Sequence, residues 1–388
     1  MVTSSLHASS RMRTRQGLFC TMNKTKDLFF KDLKKPFQVI DVKECDYIQI
    51  VGNEFPLKSN QIKKQGNFPT KPPISIDEMI ERLKEHEILF SVQEKENARI
   101  ILREINYYRL SVFEKYLKSK PASFTELYEL YSFDCFLRNS LDSLIKPVEV
   151  YIKTSLTYYI TNNYPFSFEA IVPPALAYLD TNLYRTKEVK NQRVKTMFSN
   201  FYSTLERNLD REPSLIHHIS NYGGNIPMWV LVEHLTFGNI STLITYLSRS
   251  VRKSWVDSEL KSPTNSIPVG DNKLILGWTK SMVTIRNTCA HGGRLYSRKF
   301  PSSSTLNEQD SKLLENLYPH QYREEDFKHT ILASLFVIRR FYLIMSEQRK
   351  SLWNDFINDL KEQVDSSSQL QTSHLGLENF DISLLLIS

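Results

Sequence analysis

Residues 271–291 read DNKLILGWTKSMVTIRNTCAH and show the clearest helical pattern in the chain. Four apolar side chains recur in it at intervals of four, three and four residues, namely Trp278, Met282, Ile285 and Cys289. At about 100° per residue, this spacing puts them on one narrow stripe of a helix, which is expected to face a core. Gly292-Gly293 follows, so the helix is predicted to end there, with His291 at or just past its last turn.

The same spacing of apolar side chains continues along most of the chain beyond residue 75. It predicts helices over 94–118, 124–162, 189–208, 227–250, 271–291 and 324–364. One more helix is predicted to start after Ser75, because Ser75 and Glu78 match a capping box. The run Ile331–Ile338 is typical of a core helix. Only 11 glycines occur in 388 residues, which also favours helices, so the fold class is predicted to be mainly α.

The chain is expected to divide into three parts. Residues 1–70 are predicted to form a basic, partly irregular N-terminal extension, in which 37–52 alternates well enough for one or two short strands or a β-hairpin. Three prolines and one glycine at 66–74 indicate a linker. A helical domain is predicted over 71–365. Residues 366–388 begin with three serines and are predicted to form a loose C-terminal tail.

Positive charge is concentrated in the N-terminal part of the chain. Residues 1–75 carry 13 Lys/Arg against 6 Asp/Glu, an excess equal to the net charge of +7 for the whole chain. The main domain is therefore close to neutral. A basic arm suits contacts with the phosphate backbone of a nucleic acid. The same composition also fits a solvated tail, and charge alone does not separate the two interpretations.

Several common kinds of site are not indicated by the sequence. There is no phosphate-binding loop, no Rossmann glycine fingerprint and no Gly-x-Ser-x-Gly elbow. The four cysteines are scattered, which indicates reduced thiols in the cytoplasm rather than disulfides or a zinc site. His217-His218 lacks partners at metal-ligand spacing and is interpreted as structural or surface histidine. Neither a metal nor a small-molecule cofactor is predicted, and no apolar run of about 18 residues indicates a membrane span.

Three polar side chains of the helix predicted over 271–291 lie away from its apolar stripe. On a helical wheel Asn287 lies opposite Trp278, and Arg286 and His291 flank Asn287 about 140° apart. They must therefore share a groove with another element or with a second copy of the protein. The groove would present a histidine, a guanidinium and an amide to the same ligand.

RNA cleavage needs a set of this kind. A histidine can take the proton of a ribose 2′-hydroxyl or give one to the leaving 5′-oxygen. A guanidinium can hold the scissile phosphate, and an amide can orient either group. Because RNA supplies its own nucleophile, neither a metal nor a protein nucleophile is needed. An Arg and a His at a helix C-terminus can equally serve the helix dipole and cap carbonyl groups, so spacing alone leaves both interpretations open.

Residues 286–291, RNTCAH, fit the Arg-x(4–6)-His signature of HEPN ribonucleases, in the form where Asn follows Arg. The next residues, GGRLYSR at 292–298, resemble the stretch that follows this motif in the abortive-infection (Abi, AbiD/AbiF-type) proteins of bacteria. Further blocks resemble the same family in the same order, at 71–78, 105–111, 131–138, 147–150, 227–238 and Trp278. The resemblance covers about 71–360. Lys153 stands where Arg is expected, and residues 1–70 have no recognised counterpart.

The resemblance implies a fold, an activity and partners. The fold would be a HEPN-type helical bundle, and the protein would be a metal-independent endoribonuclease with Arg286 and His291 as catalytic residues and Asn287 as their support. Similar proteins build the site across a two-fold axis, so a homodimer is implied. The implied role is that of a cytoplasmic toxin in phage defence. Some relatives have a small noncoding RNA as partner or antitoxin, which the basic arm would suit.

Other residues near these motifs are candidate RNA contacts. Six side chains could stack on unpaired bases or bind phosphate, namely Tyr107, Tyr108, Arg109, Arg294, Tyr296 and Arg298. At least one of the two adjacent tyrosines is expected in the core, and the later three also fit a structural role. Glu149 and Glu233 are predicted to pair with Arg or Lys inside the bundle.

Two other functions remain open at this point. The protein could be a noncatalytic RNA-binding or RNA-sensing module, in which the same Arg and His bind phosphate and a partner executes the response. It could also be a structural interaction protein in which both side chains only cap a helix. Salt-dependent RNA binding without cleavage would favour the first, and absence of any RNA in the purified protein would favour the second.

Overall fold

The computed structural model describes residues 37–40, 49–52, 72–164, 173–261 and 272–387. The chain divides into two units, Met1–Pro73 and Ile74–Ser388. In the first unit, β1 (Phe37–Ile40) and β2 (Gln49–Gly52) form an antiparallel pair. The predicted hairpin is therefore confirmed. Most of the predicted basic extension and most of the predicted linker lie outside the described residues.

The second unit is built almost wholly of helices, as predicted. They are α1 (Ile76–Glu85), α2 (Val92–Glu104), α3 (Tyr107–Ser111), α4 (Phe124–Tyr158), α5 (Thr186–Lys190), α6 (Arg193–Asn208), α7 (Pro213–Tyr222), α8 (Met228–His234), α9 (Phe237–Tyr246), α10 (Arg249–Glu259), α11 (Leu274–Ala290), α12 (Glu308–Leu317), α13 (Glu324–Phe327), α14 (Ile331–Tyr342) and α15 (Glu347–Ser366). Two short strands, β3 (Ile88–Leu89) and β4 (Ala122–Ser123), pair in parallel. Within the described ranges, no helix is long and apolar enough to cross a membrane.

Serine and threonine side chains set where several helices begin. Ser75 caps α1 in the predicted capping box with Glu78, and Ser123 caps α4 in the same way. Such caps satisfy backbone N–H groups that have no partner inside the helix. Thr236 forms another capping box with Asn239, and it starts α9 in the middle of the segment predicted as one helix over 227–250. The cap therefore divides that segment into α8 and α9.

The long helix α4 runs through the centre of the second unit. Its buried side chains recur along 35 residues, and it continues past Pro147 to Tyr158 before a π-helical turn at Tyr159–Asn163. Helix α11 packs against α4, α9 and α14. Trp278, Met282 and Ile285 are buried on α11, and Cys289 is half-buried. The predicted apolar stripe is thus confirmed, and it points the RNTCAH face away from the core.

The C-terminal segment, defined here as residues 367–387, is packed rather than loose. Its buried side chains are Gln369, Leu370, Leu375, Leu377, Phe380, Ile382, Leu385 and Ile387. Trp353 Nε1 donates to the carbonyl of Leu385 at 2.7 Å, and Arg339 Nη2 donates to that of Leu386 at 2.9 Å. The predicted loose tail was wrong because the three serines precede an apolar run that covers α14 and α15. Ile331–Ile338 of α14 is wholly buried, as predicted.

Candidate functional site

The helix that carries RNTCAH ends in a Schellman motif. Gly292 has a φ of +64°, and its N–H donates to the carbonyl of Cys289 at 3.0 Å. The N–H of Gly293 donates to the carbonyl of Thr288 at 2.8 Å. A left-handed glycine after the last helical residue allows both bonds. His291 is the C-cap residue of α11, as predicted, so its side chain lies at the rim of a well-defined turn.

The three predicted site residues lie in the last two turns of α11 and at its C-cap. Asn287 and His291 are exposed, and Arg286 is half-buried. Arg286 Nη1 donates to Asn287 Oδ1 at 3.1 Å, which leaves the Asn287 amide nitrogen for an external acceptor. Neither Arg286 nor His291 forms an ion pair anywhere in the described ranges. Cys289 lies between these two residues in the sequence. Burial raises the pKa of its thiol to about 12, so the thiol stays protonated at neutral pH.

Arg109 comes to the same turn from a distant part of the sequence. Asn106 caps α3 by accepting from the N–H of Tyr108 at 2.9 Å, which places Arg109 in the last turn of this short helix. A Cβ added at Gly292 would lie 2.8 Å from Arg109 Nη1. The exposed guanidinium therefore rests against Gly292, next to His291. Gly292 leaves the room that this close approach needs.

Arg294 and Arg298 follow the turn and are tied to the protein. The Arg294 guanidinium lies over the ring of Tyr116, 4.7 Å from its centroid, and donates to the carbonyl of Tyr296. Arg298 Nη1 donates to the carbonyl of Arg294 at 3.4 Å and lies near Gly293. Both side chains are half-buried. Contact of either one with RNA stays a prediction, and both also stabilise the turn.

The three tyrosines predicted to contact RNA have different environments in the structure. Tyr296 has no exposed surface, and burial raises the pKa of its hydroxyl to about 12. It cannot stack on a base in this structure, because its ring packs in the core against Phe133. Tyr107 packs against the core and Tyr108 is 65% exposed. The expectation that one of this pair is internal is confirmed, and Tyr108 remains available for stacking.

Asp134 is a structural partner of the motif that sequence reasoning did not single out. It lies on α4 with no exposed surface. Its Oδ1 accepts from the backbone N–H groups of Leu295 at 2.8 Å and Tyr296 at 2.7 Å. Arg138, one helical turn later, donates to its other oxygen. Only the tertiary structure shows that the chain after Gly293 returns to this carboxylate.

The C-terminal segment also contacts the stretch after the motif. The N–H of Gln371 donates to the hydroxyl of Tyr296 at 3.0 Å. The N–H of Ser297 donates to the carbonyl of His374 at 2.9 Å, and His374 Nδ1 lies 3.1 Å from Ser297 Oγ. Burial, with the charge of Arg294, lowers the pKa of His374. Residues that seemed remote from the motif thus hold its downstream flank.

The other residues singled out from the sequence lie in different environments. Glu149 pairs with Lys153 at 2.9 Å, as predicted for the bundle interior. Glu233 is exposed, so its predicted place inside the bundle was wrong. His217 is exposed on α7 and hydrogen-bonds with Asn221, its Nδ1 lying 3.0 Å from the amide nitrogen. Across the described ranges, no three His, Cys, Asp or Glu side chains cluster closely enough to hold a metal ion.

The RNTCAH turn, Arg109 and Asp134 all lie in one stretch that comparison with known proteins identifies. A family model described as Abi-like protein matches residues 100–297, about half of the chain. No curated protein and no solved structure matches the sequence. The family match points to a role in abortive-infection defence. With this match and the helical fold in agreement, the chain belongs to the family of Abi-like proteins.

Proposed function

We propose that this protein is a metal-independent endoribonuclease, with Arg286 and His291 as catalytic residues and Asn287 as their support. One observation carries the proposal. At the end of α11, the exposed His291 follows Arg286 in the sequence and precedes Gly292, against which the Arg109 guanidinium lies, and no carboxylate neutralises either guanidinium in the described ranges. Such an arrangement is suited to an external phosphate, because guanidinium groups bind phosphate oxygens through paired, charge-assisted hydrogen bonds.

The proposed reaction uses the nucleophile of the substrate. His291 takes the proton of a 2′-hydroxyl, the O2′–P bond forms, and the P–O5′ bond breaks to give a 2′,3′-cyclic phosphate. Arg286 stabilises the charge that develops on the phosphoryl oxygens. The leaving 5′-oxygen needs a proton from a second acid. A two-fold homodimer would supply it from the second copy of His291, since each chain carries one such motif.

The proposed biological role follows from the family. Cleavage of RNA in the cytoplasm of an infected bacterium would halt growth before phage can multiply, so the protein would act as a toxin. A small noncoding RNA would serve as its partner or antitoxin, with the basic N-terminal extension as the binding region. Both statements are proposals for which family membership and the charge of residues 1–75 supply the support.

The proposal is tested with His291→Ala and labelled RNA in excess EDTA. The wild type should produce 2′,3′-cyclic phosphate and 5′-hydroxyl ends at an unchanged rate in EDTA, and the variant should lose at least about 100-fold in rate. His217→Ala is the matched control, because His217 is an exposed histidine on another helix, and it should cleave like the wild type. Cleavage that survives His291→Ala, or that requires a divalent metal, would contradict the proposal.

A noncatalytic RNA-binding or RNA-sensing module is the second candidate. It is favoured by the lack of any hydrogen-bonding partner for the His291 ring in the described ranges, since a general base is usually oriented by a second group. In that case RNA stripped from the purified protein would rebind tightly and with strong salt dependence. Binding that Arg286→Ala weakens, together with no cleavage by the stripped wild type, would select this alternative.

A further inference from the structure

Asp134 joins the long helix α4 to the segment that follows the motif. A single buried carboxylate accepts two consecutive backbone N–H groups, those of Leu295 and Tyr296, at 2.8 and 2.7 Å. Its second oxygen accepts from Arg138. These are charge-assisted hydrogen bonds, which are stronger than those between neutral groups. The carboxylate therefore holds the backbone path of the segment in one place.

Packing alone gives no reason for an ionised group at this position. The pKa of Asp134 is raised, because burial outweighs its hydrogen bonds with Tyr296 and Leu295 and the nearby charge of Arg138, all of which lower it. A buried ion pair can often be replaced by apolar side chains without loss of stability. What an apolar side chain cannot do is accept the two N–H groups. The contribution specific to Asp134 is thus the fixed geometry of 295–296.

Few free torsions separate this anchor from His291. The N–H groups of Gly292 and Gly293 are bonded back to α11, and the N–H of Arg298 donates to the carbonyl of Leu295 at 3.1 Å. The Arg294 guanidinium is held over the Tyr116 ring. The backbone between the helix end and the anchor is therefore held at Gly292, Gly293 and Leu295. A shift at 295–296 would be transmitted to the turn that carries His291 and supports Arg109.

We propose that Asp134 is a positioning residue for His291, which acts by fixing the Gly292–Arg298 segment and with it the end of α11. The proposal rests on the proposed nuclease function for its effect on rate. Asp134 does not contact the reacting groups in this arrangement. Arg138 donates to the second carboxylate oxygen and supplies the nearby positive charge.

Asp310 offers a matched control for this proposal. It is 4% exposed and accepts from Arg340 at 2.6 and 2.7 Å, so it is also a buried carboxylate paired with an arginine. It lies on α12 and accepts no hydrogen bond from residues 286–298 in the described ranges. Asp310→Asn should therefore weaken the fold without a specific effect on the motif.

The experiment compares Asp134→Asn and Asp310→Asn at temperatures where both remain folded. With Asp134→Asn, kcat should fall by about 10- to 100-fold, the range expected when reacting groups are displaced by about 1 Å, with KM nearly unchanged. Its pH profile should also shift, because the surroundings of His291 change. Asp310→Asn should keep kcat, KM and the pH profile of the wild type while its unfolding midpoint falls.

Hydrogen–deuterium exchange gives a second readout that does not depend on cleavage. Asp134→Asn should speed amide exchange in 292–298 and in the last turn of α11, and Asp310→Asn should not. Equal exchange in both variants, or an equal loss of kcat, would overturn the positioning role. If the wild type itself fails to cleave RNA, the proposed function fails, and the exchange comparison still decides whether Asp134 fixes the segment.

Discussion

The end of α11 and the contact between α12 and α14 both contain arginine, in opposite settings. Arg340 is buried and donates to both oxygens of Asp310 at 2.6 and 2.7 Å. Arg286 and Arg109 are half-buried and exposed, and neither forms an ion pair in the described ranges. An arginine neutralised in the interior serves the fold. One left without a counter-ion beside an exposed histidine is available to an external anion.

Removing Arg340, the buried arginine, should have the largest effect on the free energy of unfolding. Arg340→Ala is expected to lower the free energy of unfolding by about 3–5 kcal/mol, because Asp310 would be left as an unpaired buried carboxylate. Arg286→Ala should cost about 1 kcal/mol or less, since it removes one hydrogen bond to Asn287. Urea denaturation measures both. Exposed Arg349 is the control site, where Arg349→Ala should change stability by under about 0.5 kcal/mol. If Arg340→Ala and Arg286→Ala lowered the free energy of unfolding equally, the proposed difference between the buried and the unpaired arginine would be wrong.

A smaller effect, on RNA binding, is expected from removing Arg109, the exposed arginine. Arg109→Ala should weaken RNA binding evenly across sequences and reduce the slope of log affinity against log salt by about 1, as for a lost phosphate contact. Arg193→Ala is the control, because Arg193 already pairs with Glu188 at 3.1 Å and its loss should leave the slope unchanged. Titration of a catalytically inactive His291→Ala background at several salt concentrations measures the slope. An unchanged slope for Arg109→Ala would remove Arg109 from the binding surface.

The smallest effect concerns the segment that supports the turn. Burial and then Arg294 lower the pKa of His374 below its ordinary value of 6.5, so the unfolded chain binds this proton more readily than the folded chain. Stability should therefore fall as pH drops through 6.5 toward the folded pKa. His374→Asn removes this contribution and should flatten the dependence of Tm on pH between about 7.5 and about 5.5. A slope identical to that of the wild type would show that His374 does not contribute.

Much of the fold could be predicted because its signals are local. The spacing of Trp278, Met282 and Ile285 specified which face of α11 is buried, and Gly292 specified where the helix ends. The capping box at Ser75 worked for the same reason. Thr236 shows the limit of this reasoning: its capping box lies inside a continuous apolar pattern, so one helix was predicted where the chain forms two. Helices α7 and α12 and nearly all of α10 fell outside the predicted segments, and the segments predicted over 94–118 and 324–364 each contain more than one helix.

The errors concern residues whose environment depends on distant parts of the chain. Tyr296 was a candidate RNA contact for which a structural role was left open, and α4 and the C-terminal segment enclose it. Glu233 was predicted to pair with Arg or Lys inside the bundle, but it is exposed. The C-terminal segment follows three serines and reads as loose, yet it covers α14. The burial of Tyr296 and of the C-terminal segment depends on neighbours that are distant in the sequence. Hydrophobic periodicity carries no information about such neighbours.

The helical class, the exposed face of the RNTCAH helix and the family resemblance can all be predicted from the amino-acid sequence, because each depends on residues close together in the chain. The contacts of Arg109 with Gly292, of Asp134 with 295–296 and of His374 with Ser297 become visible only in the folded protein. These contacts join segments separated by long stretches of chain, and they form only when burial of the common core brings those segments together. The candidate catalytic residues are thus local in sequence, while their positioning is a property of the whole fold.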